Sequence, residues 1–325
     1  MPSEFDLIDR HFARPTPQAV LGPGDDCALL APSPGMELAA TTDMLVAGTH
    51  FFADTDPFQL GWKTLAVNVS DLAAMGAQPR WALLAGSLPA ADEAWLGAFS
   101  RGFFACAGRY GVDLIGGDTT RGPLNLCVTA LGEVPAGRAL RRDGARVGDD
   151  VWVSGRPGLA ALGLAHLQGR TALPGELGAL CVGLLQQPLP RVELGLALQR
   201  RVLARSAIDV SDGLLADLGH ICERSTLDAE VFVAQLPELP AGVDAALARQ
   251  CQLAGGDDYE LVFSAAPEQR DELSALSAEL DLPLWRIGRL VAAAGRGAVR
   301  LIGERGEPVA VGRKGFDHFG QDQDQ

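Results

Sequence analysis

Gly61-Trp-Lys-Thr-Leu-Ala-Val-Asn-Val-Ser-Asp-Leu-Ala-Ala-Met-Gly76 sets one carboxylate, Asp71, inside a run that otherwise reads as a buried helix. Asp56 precedes Pro57 as an N-cap precedes a first-turn proline, and Leu60, Leu65, Val69 and Leu72 then recur at roughly helical spacing. Gly76 can end the helix. An ionised carboxylate among apolar groups is costly unless it is paired, hydrogen-bonded or bound to a metal, so Asp71 requires a partner. An arginine elsewhere in the chain would serve, and so would a cation.

Upstream, Phe5, Leu7, Ile8 and Phe12 make a short amphipathic piece, followed by the turn Gly22-Pro-Gly-Asp-Asp-Cys27, where glycines allow close backbone approach to a ligand. Glu37 to Asp43 reads as a strand ending in Thr41, Thr42 and Asp43, hard oxygen donors of the type magnesium prefers. His50 follows.

Downstream, Trp81 to Leu88 reads as a buried strand, and Asp92 caps a helix running to about Tyr110. Val112 to Thr120 is expected to be a strand with an exit loop, in which Gly116 and Gly117 free main-chain N–H groups for phosphate beside Asp118. Leu124 to Val134 supplies another strand.

The arginine-rich stretch Gly137 to Arg146 places a domain boundary near residue 140, giving units 1–140 and 141–325. The second unit is expected to carry a strand at Asp150–Ser154, helices near 157–168 and 192–205, and a strand-to-helix junction bearing Asp209, Ser211 and Asp212. Asp212 could equally be a helix cap. Gly255-Gly-Asp-Asp-Tyr-Glu-Leu261 opens a further strand, and a hairpin-like region closes at Lys314-Gly-Phe-Asp-His-Phe319.

Composition bounds the function. With 47% hydrophobic and 21% charged residues the chain reads as a globular protein, and no apolar run approaches the ~18 residues of a membrane span. No secretory signal is visible, so a cytoplasmic protein is expected. The six cysteines include no C-x-x-C pair and read as reduced core thiols. A net charge of −14 argues against nucleic acid. No P-loop or dinucleotide fingerprint occurs.

Aspartates beside glycine, serine or threonine recur at Asp25/Asp26, Asp43, Asp71, Asp118 and Asp209/Asp212. If they converge, each unscreened pair at ~4 Å costs on the order of 4 kcal/mol. Cations would then be required, and magnesium in such company implies a nucleotide.

Gly24-Asp-Asp-Cys-Ala28, Thr41-Thr-Asp-Met-Leu-Val-Ala-Gly-Thr-His-Phe51, Leu65 to Ala77, Gly116-Gly-Asp-Thr-Thr-Arg-Gly122, Ile208-Asp-Val-Ser-Asp-Gly-Leu214 and Gly255 to Leu261 together resemble the thiamine-monophosphate kinase family. The resemblance covers nearly the whole chain. It implies transfer of the γ-phosphoryl group of ATP to thiamine phosphate. It also implies an aminoimidazole-ribonucleotide-synthetase-like architecture: an N-terminal α/β domain whose sheet pairs across a homodimer, and a C-terminal α+β domain. By matching position it assigns magnesium to Asp26, Thr41, Thr42, Asp43, Asp71, Asp118, Asp209 and Asp212. ATP falls to Gly117, Asp118, Arg142 and Ser211, and thiamine phosphate to His50, Asp257 and Phe316. Asp71, Asp118, Arg142 and Asp212 are the expected catalytic groups. Asp257 stands where the family usually has glutamate, and Phe316 where tyrosine or tryptophan is common. Two other readings stay open: a selenophosphate or aminoimidazole ribonucleotide synthetase of the same superfamily, or a non-catalytic nucleotide-binding module. The first would call for a reactive cysteine in a flexible glycine-rich N-terminal segment, which is not seen.

Overall fold

A computed structural model of the chain describes residues 4–295, 297–310, 312, 315 and 316. Of the closing stretch, only Gly315 and Phe316 are among them; Lys314, residues 317–319 and the Gln325 tail lie outside the described residues. The chain divides into two compact units, one running to Ala139 with Gln186–Val192 added, the other comprising Leu140–Leu185 and the residues from Glu193 onward.

The first unit contains α1 (Glu4–His11), β1 (Met36–Val46), α2 (Pro57–Ala74), β2 (Gln78–Leu88), α3 (Glu93–Tyr110), β3 (Asp113–Arg121) and β4 (Asn125–Pro135). Its four strands lie in the order β1-β4-β2-β3, with β2 and β3 parallel and the other pairs antiparallel. α2 starts as its sequence dictates, because the Asp56 carboxylate accepts the N–H groups of Phe58 (3.0 Å) and Gln59 (3.1 Å) around Pro57. Asp92 caps α3 in the same way. The two helices cross with their backbones in contact: a Cβ on Gly61 would overlap the Phe99 carbonyl, and one on Gly102 the Phe58 carbonyl. Nothing larger than glycine fits that crossing.

Two strands differ from expectation. β1 does not end at Asp43 but runs on to Val46, because β4 pairs with it in unbroken register from Met36↔Pro135 to Val46↔Asn125. Thr41, Thr42 and Asp43 are therefore mid-strand. β3 likewise carries Gly116, Gly117 and Asp118 within the strand instead of in an exit loop. A register shift at Ala82/Leu83 leaves Ile115 as a bulge, after which pairing resumes at Leu83↔Gly116 and Leu84↔Gly117. Here Gly117 is pressed so close to the Leu84 carbonyl that a side chain could not be accommodated.

The second unit contains β5 (Asp150–Ser154), α4 (Leu159–Leu167), α5 (Gly175–Gln186), α6 (Val192–Arg200), β6 (Ser206–Asp209), α7 (Leu214–Ser225), β7 (Leu227–Phe232), α8 (Ala245–Ala254), β8 (Leu261–Ala265), α9 (Arg270–Glu279), β9 (Leu284–Ala292), β10 (Val299–Ile302) and β11 (Pro308–Val309). The elements that straddle the division, α5 and α6, flank the Gln186–Val192 excursion. Seven strands lie in the order β11-β10-β7-β9-β5-β8-β6, antiparallel except for β10 beside β7. The core packs α7, through Leu214, Leu215, Leu218 and Ile221, onto Val151, Val153, Ile208, Ile287 and Leu290 of the sheet. Each such buried side chain contributes about 1.5–3 kcal/mol.

The six cysteines are free thiols. Cys106, Cys181, Cys222 and Cys251 are buried as expected, whereas Cys27 is exposed in its turn and Cys127 half-buried. Among the described residues no helix is long and apolar enough to cross a membrane.

Candidate active site

In the first unit the pleat of β1 divides its neighbouring oxygens between two faces. Thr41 and Asp43 face α2: the Thr41 hydroxyl donates to Asp71 Oδ2, and the Asp43 N–H donates to Asn68 Oδ1 at 3.1 Å. Asn68, fully buried, is held by its own donation to the Thr64 carbonyl. The carboxylate that α2 carries late in its apolar run thus meets the middle of β1. Thr42 points to the other face, where its hydroxyl lies 3.0 Å from Thr129 Oγ1 and donates to the Val128 carbonyl.

Asp118 belongs with that other face. Successive pairings align Met44, Cys127, Ala85 and Asp118 in one row and Asp43, Val128, Leu84 and Gly117 in the next. Three strand spacings, about 14 Å, separate β1 from β3. Within the unit, Asp118 therefore stands apart from Thr41, Asp43 and Asp71. It shares instead a cavity of about 1030 Å³ with Gly117, Asp26 and the turn Gly24–Cys27, backed by Phe12, Trp95 and Phe99. β3 is an edge strand, so one side of its backbone has no strand neighbour.

His50 lies in the turn after β1. Its Nδ1 accepts the Val46 N–H at 3.0 Å, which places the proton of the neutral ring on Nε2.

The second unit brings three separated stretches together by main-chain hydrogen bonds. The Asp257 N–H donates to the Ser211 carbonyl (2.9 Å), the Tyr259 N–H to the Val210 carbonyl (2.9 Å), and the Phe316 N–H to the Asp212 carbonyl (3.0 Å). Asp209, Ser211, Asp212, Asp257 and Phe316 are thereby assembled on one framework. Asp257 and Tyr259 have φ of 66° and 51°, left-handed values that ordinary residues hold only where the surroundings enforce them. The enforcement is visible. Tyr259 donates its hydroxyl to Asp257 Oδ1 at 3.1 Å, and the buried Asp258 between them accepts the N–H groups of Gly158 (2.6 Å) and Ala160 (3.3 Å) at the start of α4. Burial holds the Asp258 carboxyl well above the usual range, against those two hydrogen bonds. Phe316 leaves its ring 43% exposed.

Asp212 does not cap α7. Gly213 occupies that position and offers no side chain, while Asp217, from inside the helix, accepts the N–H groups of Ser211, Asp212 and Gly213. Asp217 is a residue that sequence reasoning missed. Burial, then the nearby Asp212 charge, pushes its carboxyl up to about 7, opposed by the three N–H groups. Arg142 is exposed on the stretch after the first unit, its carbonyl fixed by the Ser225 hydroxyl at 2.7 Å.

The proposed ligand atoms are oxygens throughout, a hard set that suits magnesium and not softer metals. Among the described residues no three His, Cys, Asp or Glu side chains stand grouped as a metal site by themselves.

Comparison with known proteins places this geometry. Residues 24–134 match the AIR synthase related protein N-terminal domain and 146–300 its C-terminal domain, which establishes the expected two-domain architecture. The thiamine-monophosphate kinase of Escherichia coli K12 is 46% identical over 324 residues, spanning 97% of this chain and 98% of its own. The crystal structure of thiamine-monophosphate kinase from Stenotrophomonas maltophilia K279a superposes with a TM-score of 0.85 at 51% identity, covering 94% of this chain and 98% of that one. The complex of AaThiL with AMPPCP and TMP superposes with a TM-score of 0.76 at 29% identity, covering 97% and 96%.

Proposed function

This chain belongs to the thiamine-monophosphate kinase family, and we propose that it transfers the γ-phosphoryl group of ATP to thiamine phosphate, giving thiamine diphosphate and ADP by direct in-line displacement. The observation that carries the reading is the convergence in the second unit: Ser211 and Asp212, assigned to nucleotide and metal, are bonded through their own carbonyls to the stretches bearing Asp257 and Phe316, assigned to thiamine phosphate. Donor and acceptor residues on one rigid framework suit a reaction that depends chiefly on alignment and charge neutralisation.

The acceptor oxygen belongs to a phosphate whose second pKa lies near ~6, so it is already anionic at neutral pH and no general base is needed. The Nε2–H of His50 is set to donate to the acceptor phosphate. The Phe316 ring offers an apolar face for a pyrimidine to stack on, without a polar tip. The Asp257 carboxylate, steadied by Tyr259, suits the cationic thiazolium or, through a water, its substituents. Gly117 and Asp118 at the free edge of β3, together with Arg142 and Ser211, are assigned to the ATP phosphates. Asp26, Thr41, Thr42, Asp43, Asp71, Asp118, Asp209 and Asp212 would hold magnesium. When bound, magnesium neutralises the phosphate oxygens and screens these carboxylates from one another.

We assign residues 1–140 to metal binding, ATP-phosphate binding and dimerisation, and 141–325 to the second, α+β domain. The homodimer is supported by the sheet face turned away from α2, which exposes Leu38 (43%), Met44 (52%) and Leu83 (37%). Such a contiguous apolar face calls for cover, and a second copy presenting the same face fits it. Met44→Glu is expected to halve the mass seen by light scattering; an unchanged mass would remove this face from the interface.

The reaction is tested by ADP release with three acceptors: thiamine phosphate, formylglycinamidine ribonucleotide and selenide. Release with thiamine phosphate alone is expected. Release with either of the others instead would assign the chain to a sister activity, and none with any would leave a nucleotide-binding module.

A further inference from the structure

α7 begins without a side-chain cap, since Gly213 stands at the N-cap position. The cap comes from the opposite direction. Asp217, one turn into the helix, folds back so that its Oδ2 accepts the main-chain N–H groups of Ser211 (3.1 Å), Asp212 (3.1 Å) and Gly213 (3.0 Å). Three successive N–H groups aimed at one point make a concavity of the kind that binds anions, and here the chain's own carboxylate fills it. Those N–H groups are therefore not available to phosphate. Whatever this loop offers a nucleotide must come from the Ser211 and Asp212 side chains, both half-buried.

Asp217 is only 2% exposed, and its helix is packed into the core through Leu214, Leu215 and Leu218. A charge is kept there at a cost, which burial alone would not repay. The loop it holds is also the point from which the other segments hang, because the Ser211 carbonyl receives the Asp257 N–H and the Asp212 carbonyl the Phe316 N–H. An oxygen removed from this position frees three donors and loosens two further attachments.

We propose that Asp217 is a positioning residue: through one buried carboxylate oxygen it fixes the main chain of Ser211, Asp212 and Gly213, and so presents the Ser211 hydroxyl and the Asp212 carboxylate to the phosphates of a magnesium-bound nucleoside triphosphate. The nature of the ligand rests on the kinase reading; the anchoring does not. Asp217 touches neither substrate, so its removal acts on nucleotide binding before it acts on chemistry.

The test uses the full chain with Asp217→Ala and Asp217→Asn, the latter keeping one oxygen where Oδ2 stands. Amide hydrogen exchange is followed in the ligand-free protein, and AMPPCP with magnesium is titrated by calorimetry. Asp217→Ala is expected to speed exchange at residues 211–213 and to weaken AMPPCP binding, each by about tenfold or more, while Asp217→Asn stays within about threefold of the parent chain. In steady state, Asp217→Ala raises KM for ATP by a larger factor than KM for thiamine phosphate. Parent-like exchange and affinity in Asp217→Ala would overturn the proposal, and so would an Asp217→Asn variant as impaired as Asp217→Ala. Should Asp217→Ala not fold, Asp217→Ser, too short to reach three N–H groups, carries the same expectations. If the parent chain binds AMPPCP yet forms no thiamine diphosphate, the kinase reading fails, and Asp217 is still judged on exchange and affinity.

Discussion

In the first unit the candidate side chains sit on regular elements and hold one another, Thr41 of β1 donating to Asp71 of α2 while Asn68 receives the Asp43 N–H. In the second unit they sit on irregular chain held from behind, with Asp217 gathering the loop at Ser211–Gly213 and Asp258 tying the left-handed Asp257–Tyr259 segment to α4. A helix and a strand bring rigidity of their own, so side chains on them need only local partners. A loop has none, and its rigidity is supplied by buried carboxylates that never meet the ligand. The difference teaches where substitutions act: in the first unit at the ligating oxygen, in the second one layer deeper.

The largest effect is expected at Asp71. Asp71→Asn removes a charge while keeping an oxygen for Thr41, and should lower kcat by on the order of 10²–10³-fold with the melting temperature little changed. Near-parental turnover would detach the α2–β1 contact from the reaction.

The next expectation tests whether buried carboxylates that collect N–H groups support the second unit generally. Asp228 lies far from the site residues in sequence and accepts the N–H groups of Ala294 (3.0 Å) and Ala298 (2.8 Å) and a guanidinium N–H of Arg300 (3.0 Å). The Ala294 N–H, with Ala298 and Arg300 and against burial, holds its carboxyl below the ordinary range. A group whose folded value is depressed stabilises the fold above the unfolded value, and that stabilisation is lost as pH falls through the folded one. Asp228→Ala should cost about 3 kcal/mol in denaturant unfolding at neutral pH, with the gap narrowing in acid. A loss that does not depend on pH would mean packing, not charge, is what Asp228 supplies.

The smallest effect is expected at Thr41. Thr41→Val keeps the shape of β1 but leaves Asp71 without its hydroxyl donor, a loss of about 1 kcal/mol, or roughly fivefold in kcat/KM. An effect as large as that of Asp71→Asn would make Thr41 more than a partner for the carboxylate.

The sequence made α2 and α3 legible because their signals are local: Asp56-Pro57 and Asp92 at the starts, Gly76 and Gly111 at the ends. The strands were harder. Thr41-Thr-Asp43 reads as a terminus because it breaks the apolar alternation, yet pairing with β4, some 85 residues away, carries the strand through it. Gly116-Gly117 reads as a loop, and only the bulge at Ile115 explains why the strand continues. The two faces of β1 follow from its pleat, but that Thr42 and Asp118 share the face away from Asp71 depends on a register no local pattern encodes. α5 carries three glycines and no capping residue, which hid it. Asp217, set among leucines in an amphipathic helix, resembles any solvated helix carboxylate until its burial and its three donors are seen.

Direct phosphoryl transfer is tested most plainly by incubating the purified chain with γ-labelled ATP, magnesium and thiamine phosphate and following the label. We expect it to appear in thiamine diphosphate, one equivalent for each ADP formed and none on the protein. Label released only as inorganic phosphate, or held covalently on the chain, would contradict the account.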